Sequence, residues 1–306
     1  MANDFVTISD MLADALDLSG VELSEIRDAA PLMGALPAVA SSNGTQHKYS
    51  VDTARPVVGF RSENAGRDFD KSAHRIDSVE LKILDFSWAV DKAVAEAWRS
   101  GGASAFIARE GLQHLKAALF TLEQQFIYGT DNNADGFNGL ADSAYINNTD
   151  YEMVVNAGGS SGDVQTSAYF LRFSDRECSM VMRGDGVVLG DTMIQNFNDG
   201  SGKNYPAYYT PACTWAAATL GAKHSVARLC NIEGSLTDDM IYDVLAKFPA
   251  GGAPNLIVMH KESQELLRQS RTATNTVGAP APMVESVAGI RILTTDAIRK
   301  DEAVVS

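Results

Sequence analysis

The chain has 306 residues, 45% of them hydrophobic and 21% charged, enough for one large domain or two ordinary ones with a buried core. Its formal net charge of −14 argues against gripping DNA, RNA or an anionic membrane, because neutralising phosphate takes Lys and Arg. Three cysteines, Cys178, Cys213 and Cys230, stand without CxxC spacing. That argues against a disulfide framework or a cysteine zinc site and suits a reducing cytosol. The opening MANDFVTISDMLADALDLSG lacks the basic and apolar regions of a secretory signal. No run of about 20 apolar residues offers a membrane span. The composition predicts a soluble protein.

In chain order, Ile8, Met11, Leu12 and Leu16 fit a short amphipathic helix beginning near Ser9 or Asp10, and Val21 to Ala29 a further short helix. APLMGALPAVASSNG follows, apolar but interrupted by Pro31, Gly34 and Pro37, which oppose a regular element. Such a segment needs something to lie against, and two readings stand open: its own core or a neighbouring subunit. From His47 to Val90 two strands flank a charged tip. QHKYSVD opens the first, and RIDSVELKILDFSWAV supplies the second, with Ile76, Val79, Leu81 and Ile83 partly alternating. The tip holds Arg61, Glu63, Arg67, Asp68, Asp70 and Lys71 and has no apolar periodicity. An isolated hairpin is marginal in water. A projecting one therefore rests on a partner, here through polar, ion-paired contacts; the alternative is a mobile surface loop.

DKAVAEAWR (91–99) predicts a short helix that stops at Ser100-Gly101-Gly102. A long helix follows from Ser104, on which Leu112, Leu115, Leu119, Leu122 and Phe126 recur at spacings of three and four and share one face. About 24 residues would span roughly 36 Å, so this helix is either an ordinary core helix or a spine crossing a flat subunit. Gly129 is placed to end it with a left-handed cap. Beyond it the chain is rich in Asn, Asp and Gly, with an apolar patch at Tyr151 to Val155, and NAGGSSGD (156–163) reads as a flexible joint between subdomains. Strands are expected at 167–173, 177–183 and 186–190, then a loop over QNFNDGSGKNYPAYYTPA, then two strands within 214–232 around Gly221. Asp238 to Phe248 is a helix capped by Thr237 with Ile241, Val244 and Leu245 inward. A buried strand at Asn255 to Met259, a helix at Lys261 to Arg268, a loop from Thr272 to Pro282 and a last strand within 287–298 complete the chain.

Chemical motifs are sparse. Asp131, Asn133, Asp135, Gly136 and Asp142 match most of a calcium-binding EF-hand loop, but the twelfth position is Asp where a bidentate Glu belongs, and no second helix is expected after it. Gly184, Gly186 and Gly190 follow a strand with GxGxxxG spacing, without the helix a dinucleotide site needs. His47, His74, His114, His224 and His260 form no paired motif. Neither a nucleophile elbow nor a P-loop occurs. The sequence therefore offers no catalytic, cofactor-binding or metal-binding set, and points to a structural role.

Several stretches carry a family likeness. The long helix closes in FIYGTDNNADGFNGL (126–140); TSAYFLRFSDRECSMVMRGDGVVLGD (166–191) and TWAAATLGAKHSVARLCNIEG (214–234) follow, the latter with Arg228, Asn231 and Ile232; GIRILTTDAIRKDEAVV (289–305) holds Thr295, Asp296, Ala297 and Ile298. In this order they resemble the HK97-like major capsid proteins of tailed bacteriophages. The resemblance implies an α+β subunit with an N-terminal arm (1–45), an extended E-loop hairpin (46–88), a peripheral P-domain with the spine helix (89–159), an axial A-domain (160–275) and a P-domain return strand and C-terminus (276–306). It implies self-assembly into the pentamers and hexamers of an icosahedral phage head, assembled in host cytoplasm and enclosing double-stranded DNA without specific binding. It also implies scaffolding and portal proteins as partners, and in some members decoration proteins; covalent crosslinking residues cannot be placed by motif. An encapsulin-type bacterial shell is the alternative within this fold, and a calcium-dependent soluble enzyme the alternative outside it. On the leading reading, both arm and hairpin are left for copies of the chain to cover.

Overall fold

A computed structural model describes residues 6–8, 20–54, 56–143, 146–162, 164–174, 177–220, 224–273 and 279–306. The helix expected over Met11, Leu12 and Leu16 lies outside these residues. The elements in chain order are α1 (Gly20–Ala29), β1 (Ala38–Ala40), β2 (Gln46–Ala54), β3 (Ala73–Glu80), β4 (Lys82–Asp85), β5 (Trp88–Asp91), α2 (Lys92–Glu96) and α3 (Gly102–Tyr128). There follow β6 (Val154–Asn156), β7 (Thr166–Leu171), β8 (Cys178–Leu189), β9 (Met193–Asn198), β10 (Asn204–Thr210), β11 (Ala212–Leu220) and β12 (Val226–Ile232). The last are α4 (Asp238–Leu245), β13 (Leu256–Met259), α5 (Lys261–Ala273), β14 (Ser286–Val287) and β15 (Ile290–Thr294).

A mixed six-stranded sheet, ordered β14-β15-β13-β7-β12-β6, divides the core in two. Its central strands alternate, as a period of two requires when both faces are covered, until the register shift after Leu229 in β12. Tyr169, Leu171, Val226, Cys230, Leu256 and Val258 turn to one side, where they join the core built on α3. Ala168, Phe170, Ala227, Leu229, Ile257 and Met259 turn to the other, against Ile241 and Val244 of α4 and Leu267 of α5. Thr237 caps α4 as expected, accepting from the Met240 amide.

A four-stranded sheet, β1-β8-β11-β4, packs on the α3 side, and a three-stranded sheet, β5-β10-β9, extends from it. The stretch from Arg75 to Val90, expected as one strand, is cut into three that join three different sheets. Leu81, buried, sits at the first break, while Ile76 and Ile83 face solvent.

Several expectations need correction. The arm is not left bare: Ile26, Ala30, Leu32, Met33 and Leu36 are buried in the chain's own core, and β1 pairs in parallel with β8. The stretch 195–212, expected as a loop, holds most of the β9–β10 hairpin. Pro206 lies just before the β5 pairing begins at Ala207, so β10 has a neighbour on one side only and tolerates a residue without an N–H. Strands 177–183 and 186–190 are one continuous β8 that runs through the glycines. The supposed joint is tied down, since the Ser160 and Ser161 amides donate to the Glu233 carboxylate and the Gly159 amide to the Asn231 carbonyl. Moreover β6, β7 and β15 lie in one sheet, so boundaries at 159/160 and 275/276 cut through it.

Candidate subunit interfaces and the clamps behind them

Among the described residues β2 and β3 form a two-stranded sheet of their own and carry residues 56–72 away from the other sheets. Every described tip residue is exposed. Three of the six predicted charged residues are spent on shaping the tip. Arg67 donates to the Val57 and Gly59 carbonyls, Arg61 donates to the Ala65 carbonyl, and the Asp70 carboxylate accepts the Val57 and Lys71 amides. Glu63, Asp68 and the Lys71 side chain stand in solvent. The sequence reading of a purely polar tip missed its apolar part: Val57, Val58, Phe60 and Phe69 are all exposed, Phe60 at 109% and Phe69 at 100%. Single exposed hydrophobes are ordinary, but four large ones on one preshaped loop are more than a surface usually leaves bare.

The chain also contains an apolar groove that none of the described residues fills. It has a volume of about 780 Å³ and runs between the first half of α3 and strands β5, β8 and β10, with Phe86, Trp88, Ile107, Ala108, Leu112 and Leu189 on its walls. Here the long helix divides by function. Leu115, Leu119, Leu122 and Phe126 are buried, whereas Leu112 is half-buried and faces the groove. α3 covers 27 residues, about 40 Å, and its N-terminal half lines the groove. Gly111 lets the Trp88 ring lie against the helix: an added Cβ would sit 2.9 Å from that ring.

The turn after α3 is built around Gln125 and Asp142. Gly129 ends the helix with φ 56° and ψ −126°, a positive-φ conformation but not the left-handed cap expected. The returning chain caps the helix from outside, with the Leu140 amide on the Phe126 carbonyl and the Ala141 amide on that of Ile127. Buried Gln125 donates to the Asn133 and Phe137 carbonyls. The Asp142 carboxylate accepts the Thr130 and Gly139 amides and the Thr130 hydroxyl. It is thereby committed to the turn and does not face Asp131 and Asp135 as a twelfth ligand. No group of three His, Cys, Asp or Glu suited to a metal occurs among the described residues.

A buried clamp holds the C-terminal tail. Arg228 on β12 is 3% exposed and donates to Glu302 at 2.9 Å, to Ser167, to Asn147 and to the Ile146 carbonyl, with its guanidinium over the Tyr169 ring. Glu302 also accepts the hydroxyls of Tyr128 and Ser167. Burial, and then the adjacent Glu302 charge, raise the Tyr128 pKa, so this phenol remains a donor. Asn231 exchanges two hydrogen bonds with the Val305 backbone. Two residues singled out in the sequence, Arg228 and Asn231, thus grip one tail, a role that spacing could not reveal. His47, His74, His114, His224 and His260 are not brought together as a site. Among the described residues no helix is long and apolar enough to cross a membrane.

Comparison with known proteins assigns this architecture. A search of curated sequences gives no match. Among solved structures, the chain is similar to one of bacteriophage Epsilon15, at 22% identity and a TM-score of 0.63 over 88% of each chain. It is also similar to the capsid of bacteriophage JBD30 decorated with minor capsid protein trimers, at 12% identity and a TM-score of 0.54 over 86% of this chain and 88% of that one. A likeness to the SrpI encapsulin of Synechococcus elongatus PCC 7942 reaches only 0.44 at 9% identity, covering 67% of this chain and 88% of that one, and decides nothing. The two phage matches show the HK97-like capsid fold. The family model described as major capsid protein GP7 matches residues 23–306, nearly the whole length, and the chain belongs to that family of phage major capsid proteins.

Proposed function

We propose that this structural capsid subunit closes its shell by inserting the tip of its hairpin into the groove of a neighbouring copy. The observation that carries this reading is that the described residues present both an uncovered apolar knob (Val57, Val58, Phe60 and Phe69) and an apolar groove along α3 that none of them fills. Burying one Phe side chain is worth about 2–3 kcal/mol, modest for a single contact. In a closed ring every subunit makes the contact at once, so the effective concentration of each partner is high. Glu63, Asp68 and Lys71 then form a polar rim around the apolar centre. Residues 46–88 act as the E-loop, α3 as the spine helix, and the arm as a strap that belongs to its own subunit.

Pentamers and hexamers of an icosahedral phage head, filled in host cytoplasm with double-stranded DNA, are the assembly this contact serves. The net charge of −14 favours a lining that leaves DNA unbound. Scaffolding and portal proteins would direct assembly, and the minor capsid trimers on the JBD30 capsid make a decoration protein a reasonable further partner. The role requires no catalysis. The test is the double variant Phe60→Ser/Phe69→Ser, read by negative-stain electron microscopy and size-exclusion chromatography. Shells should be lost while the soluble subunit keeps its melting temperature. Shells of normal yield from this variant would overturn the proposal.

A further inference from the structure

Glu123 lies on α3 where the chain's first and last segments meet, and it is 0% exposed. Its carboxylate accepts the Leu32 amide at 3.1 Å, the Met33 amide and the Thr295 hydroxyl. Three parts of the chain distant in sequence, the arm, the spine helix and the turn after β15, therefore converge on one acidic side chain. All of its described partners are neutral donors. The Thr295 hydroxyl also accepts the Ala297 amide, which fixes the turn that presents it.

Among the described residues no cation pairs with Glu123, although Lys261 lines the adjoining cavity. On α3 itself, Lys116 is engaged with Glu25 of α1 at 2.5 Å. On the arm side, Asp28 borders a cavity of about 290 Å³ shared with Pro31, Phe120, Lys261, Thr295 and Asp296. On α5, Glu262 pairs with Lys300. Asp296 stands in solvent, 3.8 Å from the His260 imidazole, and its charge opposes a second negative charge on Glu123. The neighbouring cavity reaches Thr295, the hydroxyl partner of Glu123, but not Glu123 itself.

We propose that Glu123 is a proton-operated latch for the N-terminal arm, holding it on the spine helix when protonated and letting it go when ionised. A neutral carboxyl still accepts the two arm amides and costs little to bury, whereas an unpaired carboxylate in a dry site is expensive. Burial is the largest influence and pushes the group up to about 7, against donors that pull it down. When the arm leaves, the carboxylate is hydrated and returns toward its ordinary value of 4.5. The docked form thus holds the proton more tightly, so docking is strongest at low pH and weakens as pH rises from 4.5 through 7. These two values correspond to a fall of about 30-fold in the docked-to-undocked ratio between pH 5.5 and 8.5. The latch works within one chain, so it goes beyond the assembly reading and does not depend on it.

Hydrogen exchange of the full-length chain, followed by mass spectrometry over peptides covering residues 30–37 and corrected for base-catalysed intrinsic rates, tests this. Wild-type protection should fall about 30-fold from pH 5.5 to 8.5, and Glu123→Gln, which keeps an acceptor but cannot ionise, should remove the pH dependence. Thr295→Val removes a donor to the carboxylate and should move the midpoint to higher pH, a readout that survives if the Gln variant folds poorly. Wild-type protection that is flat or rises with pH would overturn the latch, as would an equal fall in Glu123→Gln or a midpoint unmoved in Thr295→Val. Shell formation is scored separately on the same samples, so failure of the assembly reading is seen as a distinct result.

Discussion

Replacing Arg228 by Met is the sharpest test of how the tail is held. The side chains of Arg228 and Glu302 are only 4% and 6% exposed. The substitution keeps most of the aliphatic volume but removes the cation and the donors to Ser167, Ile146, Asn147 and Glu302. Glu302 is left as a buried carboxylate whose described side-chain partners are two hydroxyls, those of Tyr128 and Ser167. It cannot swing out easily, because its backbone bridges Gln165 in both directions. Removing one member of a buried pair costs about 3–5 kcal/mol. For a chain of this length that is a fall of roughly 5–8 °C in melting temperature. Circular dichroism melts at one fixed protein concentration measure it, since assembly makes the midpoint concentration-dependent. The double variant Arg228→Met/Glu302→Met should recover at least half of the loss, because the uncompensated charge is gone. A single variant that melts within about 2 °C of wild type, or a double variant that melts lower than the single, would refute the argument.

Gly139→Ala should cost about 1–3 kcal/mol by overpacking, because an added Cβ would press on the Gln125 and Phe126 carbonyls and the Gly129 amide, all backbone atoms that cannot swing aside. A lowered urea midpoint with unchanged slope is the expected readout. Thr237→Ala should cost about 1 kcal/mol through loss of the α4 cap, seen as faster exchange of the Met240 amide without loss of the fold. Asp142→Asn should destabilise the turn after α3, since a neutral amide accepts the Thr130 and Gly139 amides more weakly than a carboxylate does, and added calcium should not restore the melting temperature.

The sequence was most informative where a periodic pattern was long or a local cap was complete. Five apolar residues at spacings of three and four located α3, and Thr237 before Asp238 located α4. It was least informative where the deciding partner is far along the chain. Nothing local in RIDSVELKILDFSWAV says that Ala73–Glu80, Lys82–Asp85 and Trp88–Asp91 pair with β2, β11 and β10 respectively. The β9–β10 hairpin was hidden by Pro206, although Asn198-Asp199-Gly200 between Phe197 and Tyr205 is a fair turn signal. Glu123 reads as one more helix-forming acid until Leu32 and Thr295 are brought to it across separations of 91 and 172 residues. The charged tip was legible and its apolar half was not, because Val57, Val58, Phe60 and Phe69 follow no helical or strand period.

Arm and hairpin look alike in sequence, each too weak to fold by itself, yet the structure separates them. Ile26, Leu32, Met33 and Leu36 of the arm are covered by its own subunit, and Val57, Val58, Phe60 and Phe69 of the hairpin tip are not. Under the proposed assembly this asymmetry has a geometric consequence. Knob and groove are different surfaces, so a one-way contact between copies is heterologous, and only a rotation that closes on itself gives a ring and not an open filament, whereas a reciprocal exchange is isologous and stops at a dimer. A chain without its knob can still receive one, and a chain without its groove can still offer one. Mixing Phe60→Ser/Phe69→Ser with Ala108→Lys, which places a charge on the exposed groove wall of α3, should therefore give capped heterodimers and no shells. Isologous pairing keeps one of its two reciprocal contacts in the mixture but stops at a dimer in the wild type. Sedimentation velocity separates the two: a dimer boundary in the mixture with larger species in the wild type supports the heterologous contact, and monomers alone in the mixture, or a wild type that stops at a dimer, would rule it out.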